Sequence, residues 1–100
     1  MNIEIFKESL SNEAPSPDLE LALQALWWDG KGDWTRAHEC AQADESDPRN
    51  AWVHAYLHRK EGDLPNAAYW YRRAKQPVAS GELDAEWYEI ARALIGSPAP

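Results

Sequence analysis

The chain has 100 residues, a formal net charge of −7 and a single cysteine. Such an acid excess disfavours nucleic acid and anionic membrane surfaces as partners, since both select basic faces. One cysteine rules out an intrachain disulfide and suits a reducing, cytoplasmic setting; no apolar run nears a membrane span, and MNIEIFKESL lacks the basic start and apolar core of a signal peptide.

Residues 1–10 carry apolar side chains at Ile3, Ile5, Phe6 and Leu10. Asn2 as a cap favours a short helix, although Ile3 and Ile5 also alternate as a strand would. SNEAPSP, residues 11–17, reads as a linker, because two prolines cannot continue a helix. The first long helix is expected from Ser16 as N-cap, with Pro17 at the first helical position and Asp18 and Glu20 in the first turn. Its apolar residues run nearly all round, which predicts burial on two sides. Gly30 and Gly32 end it. Asp33 caps a second helix from Trp34 to about Ala43, where Ala37, Cys40, Ala41 and Ala43 allow close approach. Asp47 and Pro48 start a third helix that runs to about Glu61. Gly62 turns the chain, Asp63 caps, and a fourth helix runs to about Lys75 before Pro77. A fifth helix is predicted over 82–95, ending at Gly96, with a tail that frays. The organisation is an N-terminal segment and linker (1–15), one helical domain (16–96) and a tail (97–100).

The stretch GDLPNAAYWYRRA from Gly62 has a cruder copy, GDWTRAHECAQA, that starts 30 residues earlier at Gly32. Ala25 and Ala55 precede the two turns at the same offset. A helix, a Gly-Asp turn and a second helix in tandem mark a helical repeat. On Ala55, Gly62-Asp63, Ala67, Trp70-Tyr71 and Ala74 the chain resembles the tetratricopeptide-type repeats, the second unit leaning toward the shorter Sel-like variety. Trp87, Ile90, Ala91 and Leu94 look like the opening of a further unit. The likeness spans roughly Leu19 to Leu94, and the first unit shares only Ala25, Gly32, Asp33 and Ala37 with the second. The period is shorter than the tetratricopeptide 34, and KQPVASG lacks the alanine-glycine ending of Sel-like units.

The resemblance implies an all-α fold of two hairpins plus a C-terminal helix in a short right-handed array, without catalytic residues or cofactor. It also implies a peptide-binding groove lined by the first, third and fifth helices. Trp52, Tyr56, Arg59 and Lys60 form an aromatic-basic stripe on the third helix, flanked by Leu19, Ala22 and Leu26 of the first and by Ala85, Tyr88 and Arg92 of the fifth. Aromatic rings beside arginine are common in binding hot spots; the competing reading packs Trp52 and Tyr56 between helices. The expected partner is a protein or peptide whose acidic group meets Arg59. Positions that grip a terminal carboxylate in some tetratricopeptide domains read here Ala22, Leu26, Val53, Ala85 and Glu89, which cannot do so.

His54, His58 and Glu61 share one stripe of the third helix, at spacings of four and three. Two imidazoles at i and i+4 can hold zinc with a carboxylate as third ligand, but a site needs ligands from a second helix. His38 is the only other histidine, and Cys40 is expected on a different face. The favoured reading places these histidines in a packing seam with no tight zinc. Arg72, Arg73 and Lys75 suit a helix C-terminus, where cations meet the dipole favourably. No phosphate loop or activated nucleophile is present. The chain therefore reads as a non-enzymatic interaction module. The alternatives are a metal-binding or metal-sensing protein using His54 and His58, and a homo-oligomeric structural unit that covers two apolar end faces.

Overall fold

The computed structural model describes residues 1–96, and all regular structure in them is helical. Helix α1 (Ile3–Glu8) runs into a 3₁₀ turn (Ser9–Ser11); α2 (Leu21–Gly30), α3 (Trp34–Gln42), α4 (Pro48–Glu61), α5 (Leu64–Ala74) and α6 (Leu83–Ile95) follow. The five long helices expected from the sequence are thus α2 to α6. The 97–100 tail lies outside the described residues. Among those described, no helix is long and apolar enough to cross a membrane.

Local chemistry explains most boundaries. The Asn2 carboxamide accepts from the Ile5 amide at 2.9 Å, which resolves the N-terminal ambiguity in favour of helix. Asp33, Asp47 and Asp63 each accept a hydrogen bond from a first-turn amide of the helix they cap. Gly32 and Gly62 take φ values of 82° and 91°, the left-handed conformation that a side chain resists. Hydrogen bonds around the two turns match at an offset of 30 residues. The Gly32 amide donates to the Asp29 carbonyl and the Gly62 amide to that of Arg59; Asp33 donates to Trp28 and Asp63 to His58, both at 2.9 Å.

The start of α2 differs from expectation. Ser16 does not cap it: the Ser16 hydroxyl accepts from the Asp18 amide and its carbonyl from the Leu19 amide, so the segment closes into a separate turn. The helix begins at Leu21 instead, after an extended Glu20 that makes no side-chain cap.

Helix α2 packs on α3 and α4 on α5; α3 also meets α4, and α6 lies against both α2 and α4. Ala25, Ala37 and Ala55 are fully buried and Ala67 nearly so, which lets paired helices approach closely. The main core joins Leu26, Trp27, Val53, Tyr56, Leu57 and Ile90; a smaller cluster between α4 and α5 is built on Ala55, Ala67, Trp70 and Tyr71. The N-terminal segment belongs to this main core. Phe6 is fully buried, its ring stacked on Trp87 with centroids 5.7 Å apart, and the Trp27 indole N–H donates to the Ser9 hydroxyl. Phe6 therefore shares one cluster with Ala22 and Leu26, side chains that the resemblance would leave open along a groove.

Two buried carboxylates tie the helices together. Asp29 of α2 accepts from the Tyr56 hydroxyl and the Lys60 ammonium of α4, at 3.0 and 2.9 Å. Glu86 of α6 accepts from Arg59 of α4 at 2.7 Å and from the Tyr71 hydroxyl of α5. A carboxylate taken out of water is tolerated only when its lone pairs are matched in this way.

Candidate functional site

The expected stripe of Trp52, Tyr56, Arg59 and Lys60, with Tyr88 and Arg92 flanking it, is distributed over separate surroundings. Tyr56 is 1% exposed, in the middle of the core. Burial, and then the charge of Asp29, raise its phenol pKa, so it remains a neutral donor to that carboxylate. Of the two readings open for Tyr56, packing between helices is the one found: its hydroxyl reaches Asp29 of α2 from within the core. Arg59 is also committed inward, to Glu86 and to the Gly81 carbonyl, and is not free to receive a partner's acidic group. Lys60 is exposed and paired with Asp29. Tyr88 has two cations near its ring, Lys7 and Arg92, each 5.6 Å from the centroid.

Within the stripe on α4, Trp52 is half-buried and borders open space. It lines a hollow of about 280 Å³ between α4, the segment 76–82 and the first half of α6, together with Ala85, Glu82, Glu86 and Glu89. Glu86 is neutralised by Arg59. Glu82 and Glu89 are exposed and enter no ion pair among the described residues, so the hollow presents an indole and two unmatched carboxylates. A second hollow, of about 430 Å³, lies between α1, α2, α4 and α6, where Tyr56, Lys60, Tyr88 and Asp84 contribute to its walls.

A second constellation lies on the α3 side of α4. His54 and His58, one turn apart on α4, meet His38 of α3. One ligand-capable nitrogen from each lies within 4.8 Å of the others. His38 Nε2 and His54 Nε2 stand 3.0 Å apart. His58 Nδ1 lies 2.6 Å from a Glu61 carboxylate oxygen; since a carboxylate only accepts, Nδ1 carries a proton, which in a neutral ring leaves the lone pair on Nε2. Asn66 of α5 approaches that Nε2 at a long 3.4 Å. Two indoles wall the cluster. Trp34 stacks on His38 with centroids 4.9 Å apart and is itself held by an N–H bond to the Leu57 carbonyl, while Trp70 stacks on His54 at 4.0 Å. His54 is 3% exposed, and its Nδ1 is buried without a hydrogen-bond partner. Burial first, and then His38 and His58, push the His54 pKa down to about 4; burial likewise lowers that of His38.

The sequence grouped His54 and His58 with Glu61 as co-ligand. The structure changes that grouping: Glu61 bonds His58 from behind, and the third imidazole comes from α3. His38 was visible as the remaining histidine but lies 16 residues from His54. The usable signal was its place directly after Ala37, with His54 directly before Ala55, because both alanines mark where helices approach closely. Cys40, also on α3, is partly buried, and burial followed by the neighbouring Glu39 raises its thiol pKa, away from a reactive thiolate. Arg73 near the end of α5 lies over the Trp70 ring at 5.1 Å and donates to the Tyr69 hydroxyl.

Compared with protein-family models, with curated proteins and with solved structures, the chain matches none of them.

Proposed function

We propose that the chain is a non-enzymatic interaction module of stacked helical hairpins, α2–α3 and α4–α5 with α6 opening a third unit, and that it receives a basic segment of another protein at the Trp52 hollow. The repeat reading is supported by the two turns, whose glycine conformation, aspartate caps and hydrogen bonds recur at an offset of 30 residues. The binding reading is carried by one observation: a half-buried indole borders exposed Glu82 and Glu89, which have no cationic partner among the described residues. An indole flanked by carboxylates suits a lysine or arginine next to an apolar side chain, through stacking and charge-assisted hydrogen bonds. The acidic chain attracts such a partner at long range as well. The complement is thus basic, opposite to the acidic peptide that a free Arg59 would have selected.

An array of random short peptides probed with the labelled chain tests this. Captured sequences should be rich in Lys and Arg beside an apolar residue. Binding should be lost in Trp52→Ala and Glu89→Lys but retained in Glu13→Lys, a charge reversal at an exposed position before α2. Capture of acidic sequences, or equal loss in all three variants, would show the surface charge acting without a site.

A further inference from the structure

We infer that His38, His54 and His58 form a binding site for a divalent transition-metal ion, zinc by ligand chemistry, that cross-links α3 to α4.

The first ground is convergence. Three imidazoles from two helices bring one nitrogen each within 4.8 Å of one another. Two nitrogens bound to a tetrahedral zinc at about 2.0–2.1 Å stand about 3.3–3.4 Å apart. The 3.0 Å between His38 and His54 Nε2 needs only a small opening, and a His58 nitrogen lies within 4.8 Å of the nitrogens that those two rings offer. Imidazole nitrogen selects zinc, copper, nickel or cobalt over magnesium and calcium, which take oxygen.

The second ground is the count of protons and lone pairs. A neutral imidazole has one N–H and one lone pair. His58 spends its N–H on Glu61, which leaves Nε2 as a lone pair. The His38 and His54 Nε2 atoms, 3.0 Å apart, have room for one proton between them in a neutral pair. His54 Nδ1 has no partner whichever tautomer is present. Hydrogen bonding therefore satisfies this buried cluster poorly. An ion there takes the place of the shared proton, which moves to the Nδ1 of the ring that carried it, and engages one lone pair from each of the three rings.

The third ground is the support around the rings. A zinc-bound histidine ordinarily donates its other N–H to a carboxylate or carbonyl, which fixes the tautomer and raises ligand basicity. Glu61 stands in that place behind His58 at 2.6 Å. It acts as a positioning residue, and its charge, with Asp63 close by, favours a cation. Trp34 and Trp70 hold the other two rings by stacking. His38 is the partly exposed member, so an ion enters past it. Three protein ligands leave a fourth position for water or for a group from outside.

The test uses the untagged chain, stripped with chelator and dialysed against zinc. We expect one equivalent retained, a thermal midpoint raised by several degrees with zinc and unchanged by magnesium, and visible absorption typical of tetrahedral nitrogen coordination when cobalt replaces zinc. His38→Ala should abolish the zinc-induced rise. Glu61→Gln should weaken zinc affinity by about 10–100-fold without altering the midpoint of the metal-free chain much. The cobalt spectrum and the zinc stoichiometry are read on the unaltered chain, so the test survives a variant that does not fold. Absence of retained zinc and of a cobalt spectrum would overturn the assignment. So would equal zinc binding by His38→Ala and His58→Gln, which would place the ion on surface carboxylates. Neither result bears on peptide capture at the Trp52 hollow.

Discussion

Tyr56 shows how one residue can change meaning between sequence and fold. On the third long helix its spacing from Trp52 and Arg59 admits both a groove contact and a core residue. The structure gives it 1% exposure and a bond to buried Asp29. Tyr56→Ala should therefore cost about 3–5 kcal/mol of stability, through the cavity and the unpaired carboxylate; a denaturation midpoint close to that of the unaltered chain would contradict this placement. The histidines give a second residue-scale prediction. In the metal-free chain, the His54 pKa is held down to about 4 by burial and by the neighbouring His38 and His58. The unfolded chain takes up that proton near the ordinary value of 6.5, before the folded chain does. The stabilising contribution is thus fully present above about pH 6.5 and falls away as pH drops toward 4, by on the order of 1–3 kcal/mol. Denaturation curves at pH 7.5 and 4.5 with chelator present, compared with those of His54→Gln, would measure it. A variant with the same pH dependence as the unaltered chain would assign the loss to other groups.

At the scale of elements, the turns carry the information most plainly. Asp33 and Asp63 cap as aspartate before a helix should, Pro48 opens α4, and Gly62 takes the left-handed turn that only glycine adopts freely. The matched alanines were legible for the same reason: a small residue at a fixed offset from each turn marks where helices meet. Ala55→Leu and Ala67→Leu should each destabilise by about 1–3 kcal/mol through overpacking, since both positions are buried between α4 and α5. Unchanged thermal midpoints would place the close approach elsewhere. Other features were not legible because they depend on contacts distant in sequence. Ser16 and Pro17 have the chemistry of a helix start, yet Ser16 satisfies the next residues in a turn of its own and α2 waits for Leu21. Arg59 looked free on its helix until α6 brought Glu86 to it, 27 positions away. His38 joined His54 only once α3 packed on α4. Helix periodicity tells which side chains share a face but not what that face meets.

At the scale of the whole molecule, α1 and the two buried carboxylates decide what remains available for recognition. Phe6 enters the core beside Ala22 and Leu26, so the helix faces that a repeat array exposes along a groove are partly taken by the chain's own N-terminal helix. Asp29 and Glu86 draw Lys60 and Arg59 into internal pairs. The stripe therefore loses its basic character, while Trp52, Glu82 and Glu89 remain at the surface. Among the described residues, the large exposed apolar side chains are Met1, Ile5, Leu64, Tyr69 and Val78. The central claim is that a basic segment binds where α4, the 76–82 segment and α6 meet. It is tested most directly by amide and indole NMR shifts of the isotope-labelled chain, titrated with the tightest peptide from the array. The account predicts that shifts concentrate on the Trp52 indole and on residues 80–89, and that they vanish in Glu89→Lys. Shifts that instead spread over the acidic surface, or centre on α3 and α5, would contradict it.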